Sequence, residues 1–390
     1  MMGRIAAYED ELSALVEVFI DKLLIEEDAF RVGRHGRVDT AKWKHLRRTE
    51  NTAVYRERCA ATTPSSSSSK SSRTSHKLIP PFLTVGKVPG TLDELLYGIS
   101  APTREALILR GSYLDGNVAD IEVLHTIRGP TPDEPFSHVS INWLLLAPHT
   151  SFITPRDFVF IDALGTRVLP SGERIGYQFS HTIELKGAGA LSDRGLLRTN
   201  FSISTIFRED PANHCVLEYG RTFYAPGGAI PHSLFITVVS RQASSTAAHR
   251  TTGQLKKLAY ALRQKHAGKW TVAVPLPSPR RGESTPKSEC GVCAKRLHLV
   301  NKSRFDCALC ARKLCQACRV RKEVFYLKAD LRVTRVRVTF CTLCVQQAIT
   351  LPSTVVAKDE FLTTHQQFYY LQPESVGAES TSTLRTMFSP

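Results

Sequence analysis

Residues 9–27 place Leu12, Leu15, Val16, Phe19, Leu23 and Leu24 at helical spacing with acidic side chains between them. That pattern predicts an amphipathic helix with one face on a core. The stretch AKWKHLRRTENTAVYRER, residues 41–58, has strand character instead. Period-two alternation then recurs. SHVSINWLLL puts Val139, Ile141, Trp143 and Leu145 on one face, and ERIGYQFSHTIEL does the same with Ile175, Tyr177, Phe179, His181, Ile183 and Leu185. TNFSISTIF and CVLEYGRTFYA continue the series, and turn signals such as LPSGE lie between strands. Consecutive strands joined in this way predict an antiparallel sheet. Leu255, Leu258, Ala259 and Leu262 in TTGQLKKLAYALRQK predict a closing helix packed on that unit.

Three segments break the periodicity. TTPSSSSSKSSRTSHK (62–77) is too poor in apolar residues to pack and reads as a flexible loop. VPLPSPRRGESTPK (274–287) is Pro-rich and charged, the composition of a semi-extended spacer. After residue 352 no period is visible and the chain ends in Ser/Thr-rich sequence, which predicts a disordered tail. The expected organisation is a large unit over 8–265, a linker over 266–283, a small unit over 284–350 and a tail over 351–390.

Eight of the ten cysteines define the small unit: Cys290, Cys293, Cys307, Cys310, Cys315, Cys318, Cys341 and Cys344 form four C-x-x-C pairs. The N-terminus is acidic where a signal peptide would be basic, and no stretch reaches the roughly 18 apolar residues of a membrane span. A cytoplasmic protein is therefore expected, and in a reducing compartment such thiols point to metal rather than disulfides. A two-residue gap lets both thiolates turn onto one tetrahedral ion, so four pairs suit two closed, structural zinc sites. A redox pair would account for one C-x-x-C, not four. Only four residues separate Cys310 from Cys315, so sequential pairs would crowd two ions. Interleaving relieves this, with Cys290, Cys293, Cys315 and Cys318 on one zinc and Cys307, Cys310, Cys341 and Cys344 on the other. Spacing favours that wiring without fixing it.

RFDCALCARKLCQACR (304–319) with its flanking pairs resembles the centre of a FYVE-type zinc finger. The resemblance implies a two-zinc cross-brace and contact with phosphoinositide-containing endomembranes, endosomes among them. The family's specific phosphate ligands are replaced here. Phe305 and Asp306 stand where two histidines belong, Ala308 replaces an arginine, Thr339 occupies another arginine position, and no tryptophan precedes the first cysteine.

Charge remains. The chain carries +15, and residues 280–344 hold sixteen Lys/Arg against five Asp/Glu, a balance of +11. Such a surface attracts anionic lipid or nucleic acid, or is simply a solvated basic face. In AKRLHLVNKS, Leu297, Leu299 and Val300 sit among Lys295, Arg296 and Lys302. In FYVE-like folds this loop inserts apolar tips into the membrane; the plainer reading is that it covers the small zinc core. With Arg304, Arg312 and Lys313, these residues are the candidate membrane-binding set.

The order helix, antiparallel sheet, long C-terminal helix resembles a START-type helix-grip domain. Trp43 and Val54–Tyr55 resemble its first strand, KVPGTLDELLYGI (87–99) its second helix, and PRDFVFIDAL (155–164) its R-D-[FY]-V strand. The resemblance implies an α+β fold that encloses an apolar lipid between sheet and helix, with Asp157 and His181 as conceivable polar contacts.

No H-E-x-x-H, G-x-S-x-G or G-x-x-x-x-G-K-[ST] motif is present, so a non-catalytic lipid- and membrane-binding protein is expected. The alternative is a protein-interaction module of the ubiquitin-ligase type, although those fingers commonly include histidine ligands. Nucleic acid is disfavoured because the basic segment lacks the interleaved aromatics of a stacking platform.

Overall fold

The acidic first turn of Glu9, Asp10 and Glu11 complements the helix dipole at the start of α1 (Glu9–Asp28). This computed structural model describes residues 8–58, 80–114, 118–147, 153–185, 189, 191–228, 230–243, 246–271, 289–297, 305–362 and 379–383. The stripe on α1 buries Val16, Ile20 and Leu23, with Leu12, Phe19 and Leu24 packed around them.

A β-hairpin follows, β1 (Trp43–Arg48) and β2 (Thr52–Glu57), then β3 (Phe82–Pro89). Helix α2 (Leu92–Ile99) opens with a capping box. The Thr91 side chain accepts from the Glu94 amide, and the Glu94 carboxylate accepts from the Thr91 amide. Helix α3 (Arg104–Tyr113) is capped by Thr103. Then come β4 (Val118–Arg128), β5 (His138–Leu146), β6 (Arg156–Val168), β7 (Arg174–Thr182), the short β8 (Leu197–Arg198), β9 (Asn200–Asp210) and β10 (Cys215–Ala225). The sheet runs β1-β2-β3-β10-β9-β7-β6-β5-β4, antiparallel throughout except where β8 pairs with β6.

The two faces of this sheet are covered differently. α1 lies over Ile161, Ala163, Ile175, Phe179 and Ile206. The opposite face meets α2 through Leu164, Phe207 and Val216, and meets α4 (His232–Ala243) through Val54 and Phe82. Helix α5 (Thr246–His266) crosses α2 at Gly98, where a Cβ would lie 1.9 Å from the His249 carbonyl oxygen. Only glycine permits this approach. The arrangement is α+β and of the helix-grip type that the START resemblance implies.

The small unit contains β11 (Phe305–Asp306), β12 (Lys313–Leu314), β13 (Arg319–Leu327), β14 (Val333–Cys341) and α6 (Thr342–Ile349), and β14 also pairs with β15 (Glu379–Thr383). Its core is not its own. Leu258, Ala259, Ala261 and Leu262 of α5 join Leu309, Leu314, Val324, Tyr326, Val336, Val338 and Phe340 in one buried cluster. The α5 stripe expected to pack on the large unit therefore packs on the finger. An apolar stripe declares that a helix is buried, not what buries it.

A second difference lies in the tail. Residues 353–362, expected to be disordered, form α7 (Ser353–Leu362), which lays Val356 and Ala357 against Leu92, Leu96 and Tyr97 of α2. Tyr260 and Gln264 of α5 each donate to Asp359 at 2.9 Å, and Arg263 pairs with Glu360 at 2.6 Å. Its weak amphipathic pattern hid it, because polar side chains do half of the docking.

Candidate metal centres and ligand-binding face

Both knuckles of the finger repeat one backbone design. In each C-x-x-C-A segment the alanine after the second cysteine is left-handed, Ala294 at φ 55° and Ala311 at φ 58°. Ala294 N–H returns to Cys290 O at 2.9 Å and Ala311 N–H to Cys307 O at 2.8 Å, while the first cysteine's N–H reaches Lys295 O or Arg312 O at 2.9 Å. These turns aim two thiols at one point. The remaining pairs bracket the β13–β14 hairpin: Cys315 and Cys318 lie just before β13, Cys341 ends β14 and Cys344 lies in the first turn of α6.

The thiol sulfurs of Cys290, Cys293, Cys315 and Cys318 lie within 4.8 Å of one another, as do those of Cys307, Cys310, Cys341 and Cys344. The wiring is interleaved. Sulfurs of Cys293 and Cys315 are 3.7 Å apart and those of Cys310 and Cys341 3.9 Å. These separations far exceed the ~2.05 Å of a disulfide. They match the roughly 3.8 Å edge of a tetrahedron with ~2.3 Å metal–sulfur bonds. Backbone amides supply second contacts: Cys341 N–H donates to Cys307 Sγ at 3.2 Å, and Cys344 N–H to Cys341 Sγ at 3.3 Å. The second quartet sits deeper, with Cys307, Cys341 and Cys344 buried and Cys293 of the first exposed. The donor set thus fits a metal ion in each quartet.

The candidate membrane-binding residues divide. Lys295 and Arg296 are exposed on the first knuckle and Leu297 is half-buried beside them. Lys313 is 2.8 Å from Asp306, and the Arg312 side chain lies over Gly291. Leu299, Val300, Lys302 and Arg304 lie outside the described residues. Phe305 is flanked by the guanidinium groups of Arg319 at 4.1 Å and Arg321 at 4.6 Å. Thr339 sits across from Arg321 on β14.

In the large unit the sheet face toward α2 and α4 carries a set of residues that the sequence reading passed over. Phe158, Phe160 and Phe201 cluster there with Leu144, Leu146, Ile203 and Tyr224. The three phenylalanines keep 5–7% exposure, whereas Ile161, Ala163, Ile175 and Phe179 on the α1 face keep none. Among them Asn142, opposite Phe160, is fully buried, and neither its amide nitrogen nor its oxygen has a hydrogen-bond partner among the described residues. Farther along, the buried Glu218 accepts from Thr246, and burial pushes its pKa up to about 7 despite the Thr246 and Thr52 hydroxyls. Asp162 also lies here, held by Ser180 and by His138 at 3.4 Å. Burial opposes its charge, but the His138 hydrogen bond, the Arg110 charge and the Ser180 contact outweigh it and keep its pKa low. The only available signal was the polar register of VSINW, which ordinarily marks a solvent face.

Asp157 and His181 belong to the other face. Asp157 accepts from Trp143 at 3.1 Å and pairs with Arg198 at 2.6 Å; the His181 ring is 5.2 Å from Phe19 of α1. Neither lines the Phe160 side. No helix among the described residues is long and apolar enough to cross a membrane.

No family model matches this sequence, and no curated protein matches it. Among solved structures it is similar to human StAR-related lipid transfer protein 5, at 15% identity and TM-score 0.41, covering 62% of this chain and 96% of that one. It is also similar to human STARD10, at 12% identity and TM-score 0.40, covering 64% and 89%. A third is the lipid transfer and protein localization domain of human StarD13, at 12% identity and TM-score 0.36, covering 59% and 95%. At these identities and scores such likenesses assign neither a ligand nor an activity to this chain.

Proposed function

We propose that this is a non-catalytic protein that holds an apolar lipid against the Phe158–Phe160–Phe201 face of its large sheet. Its finger, ordered by two zinc ions, contacts anionic membranes, phosphoinositide-containing endomembranes in the cytoplasm among them. The observation that carries the lipid reading is Asn142. A buried amide without partners costs about 1–3 kcal/mol, and its place among three phenylalanines suits a ligand that is apolar with a single polar group.

Zinc is the metal that all-cysteine tetrahedral quartets favour. The finger's apolar side is covered by α5 of the same chain, while Lys295, Arg296, Lys322 and Lys328 stay exposed. That favours a basic surface for membranes over an apolar groove for a partner protein.

Native mass spectrometry of the full chain, with fluorescent sterol and phospholipid titrations, tests the lipid site; no bound ligand and no saturable uptake would overturn it. Flotation with phosphatidylcholine vesicles, with and without anionic lipid, tests the finger. With its specific ligands replaced, the expected binding follows charge density and weakens with salt, since exposed charges are screened over about 8 Å at physiological ionic strength. Leu299→Glu with Val300→Glu should abolish the part that survives high salt. Absence of binding to anionic vesicles would favour the protein-interaction reading.

A further inference from the structure

Where the finger docks on the large unit, a cavity of about 80 Å³ opens between α2, α3, α5, α7 and β13. A water needs about 10–15 Å³ by this kind of measure, so the space suits a small polyatomic group. Its wall carries Arg110 from α3, Lys256 and Arg263 from α5, and Glu360 from α7. Three cations face one carboxylate, a net charge of +2.

The carboxylate is already engaged. Glu360 pairs with Arg263 at 2.6 Å and accepts from Tyr97 Oη at 3.1 Å. Lys256 forms no ion pair among the described residues: its ammonium donates to the carbonyls of Tyr97 at 2.7 Å and Ser100 at 3.1 Å, and stands 4.1 Å from the Tyr97 ring centroid. Arg110 donates to the Ile99 carbonyl at 2.8 Å, and its charge also acts on the buried Asp162 behind the cavity wall. Burial first, then the Arg110 and Arg263 charges, bring the Lys256 pKa down to about 8, against the pull of Glu360. Like charges gathered in a partly buried cleft repel unless an anion joins them. Tyr113 and Phe325, meeting edge-on at 4.8 Å, give the cavity an apolar wall from both units.

We infer that this interdomain cavity is a binding site for a phosphate monoester, with Lys256 and Arg110 as its principal ligands. The net +2 matches the charge of about −1.5 to −2 that such a group carries near neutral pH. Because one wall is β13 and the others belong to the large unit, the bound anion ties the finger to the helices. The site is separate from the sheet face assigned to lipid and from the finger's outer basic surface.

The test uses the full zinc-loaded chain. Calorimetric titration with inorganic phosphate and with glycerol 3-phosphate should saturate, and both should raise the melting temperature; Lys256→Met and Arg110→Gln should each weaken binding at least about tenfold. Melting curves separate binding from folding. If Lys256 merely caps the Tyr97 and Ser100 carbonyls, Lys256→Met lowers the melting temperature but leaves the phosphate-induced increment intact, and the proposal fails. It fails too if neither anion saturates the wild-type chain. Vesicles containing phosphatidic acid identify the source. Displacement of that lipid by glycerol 3-phosphate supports a lipid-borne monoester, and saturation without displacement supports a free one; in either case the response must be lost in Lys256→Met.

Discussion

The Lys257 ammonium of α5 donates to the Ile349 carbonyl at 3.0 Å, at the end of α6, so a helix of the large unit caps a helix of the finger. Lys265, two turns on, donates to the Ala308 carbonyl inside the second knuckle. With the shared cluster around Leu258 and Leu262, these contacts couple metal binding to the stability of α5.

Metal removal should therefore be felt beyond the cysteines. Zinc binding to sites of this kind contributes on the order of 10 kcal/mol of folding free energy, so chelation or Cys307→Ser should unfold the finger. Hydrogen exchange should then show residues 255–262 losing protection while β6 and β7 keep theirs. Unchanged protection across α5 would refute the coupling. Metal analysis of the reduced chain should return two ions.

The left-handed alanines offer a stabilising change. An L-residue in that conformation costs roughly 1–2 kcal/mol, and glycine escapes it. Ala294→Gly and Ala311→Gly should each stabilise the metal-loaded finger by about 1 kcal/mol after the greater entropy of glycine in the unfolded chain is subtracted. Chelator-resistance midpoints and melting curves would register the gain; a loss at both positions would count against the knuckle geometry.

Glu218 predicts a pH dependence. Its pKa rises from 4.5 in the open chain to about 7 in the fold. Between these values the folded state holds a proton that the unfolded state releases, so this group's contribution falls as pH rises from 4.5 to 7 and stays low above. Glu218→Gln should remove that slope and stabilise the protein at pH 8 by on the order of 2–3 kcal/mol. Denaturant titrations at pH 5 and pH 8 would show it; equal mutational effects at both would contradict the burial of this carboxyl.

Gly98→Ala places a methyl group against the His249 carbonyl. Because backbone stands on the other side, no side chain can swing away, and α2 and α5 must separate. A destabilisation of at least about 2 kcal/mol is expected, with weakened finger docking as a secondary effect visible by limited proteolysis.

Asn142→Leu tests the unpartnered amide directly. The ligand-free chain should gain about 1–3 kcal/mol, while affinity for lipids with a hydroxyl or carbonyl group should fall. A less stable variant with unchanged lipid uptake would mean that the amide is satisfied within the protein.

The sequence by itself determined the local elements and the chemistry of the cysteines. Period-two runs such as VSINW and RIGYQFS become β5 and β7 because alternating side chains can bury one face. The stripe from Leu12 to Leu24 becomes α1 for the same reason at a different period. Four C-x-x-C pairs need no tertiary information to suggest two metal ions, since a two-residue gap lets both thiols of a pair reach one ion.

What each face packs against was settled only in three dimensions. Ser140, Asn142, Asp162 and Ser180 alternate with apolar residues as a solvent side would, yet all four are buried, because burial depends on what chain returns to a sheet rather than on the alternation within it. The α5 stripe names no partner, and the finger, far along the chain beyond the Pro-rich segment, supplies it. Arg110, Lys256 and Glu360, from three separate helices, meet only because α7 folds back over α2 and α5. No window of sequence contains that meeting.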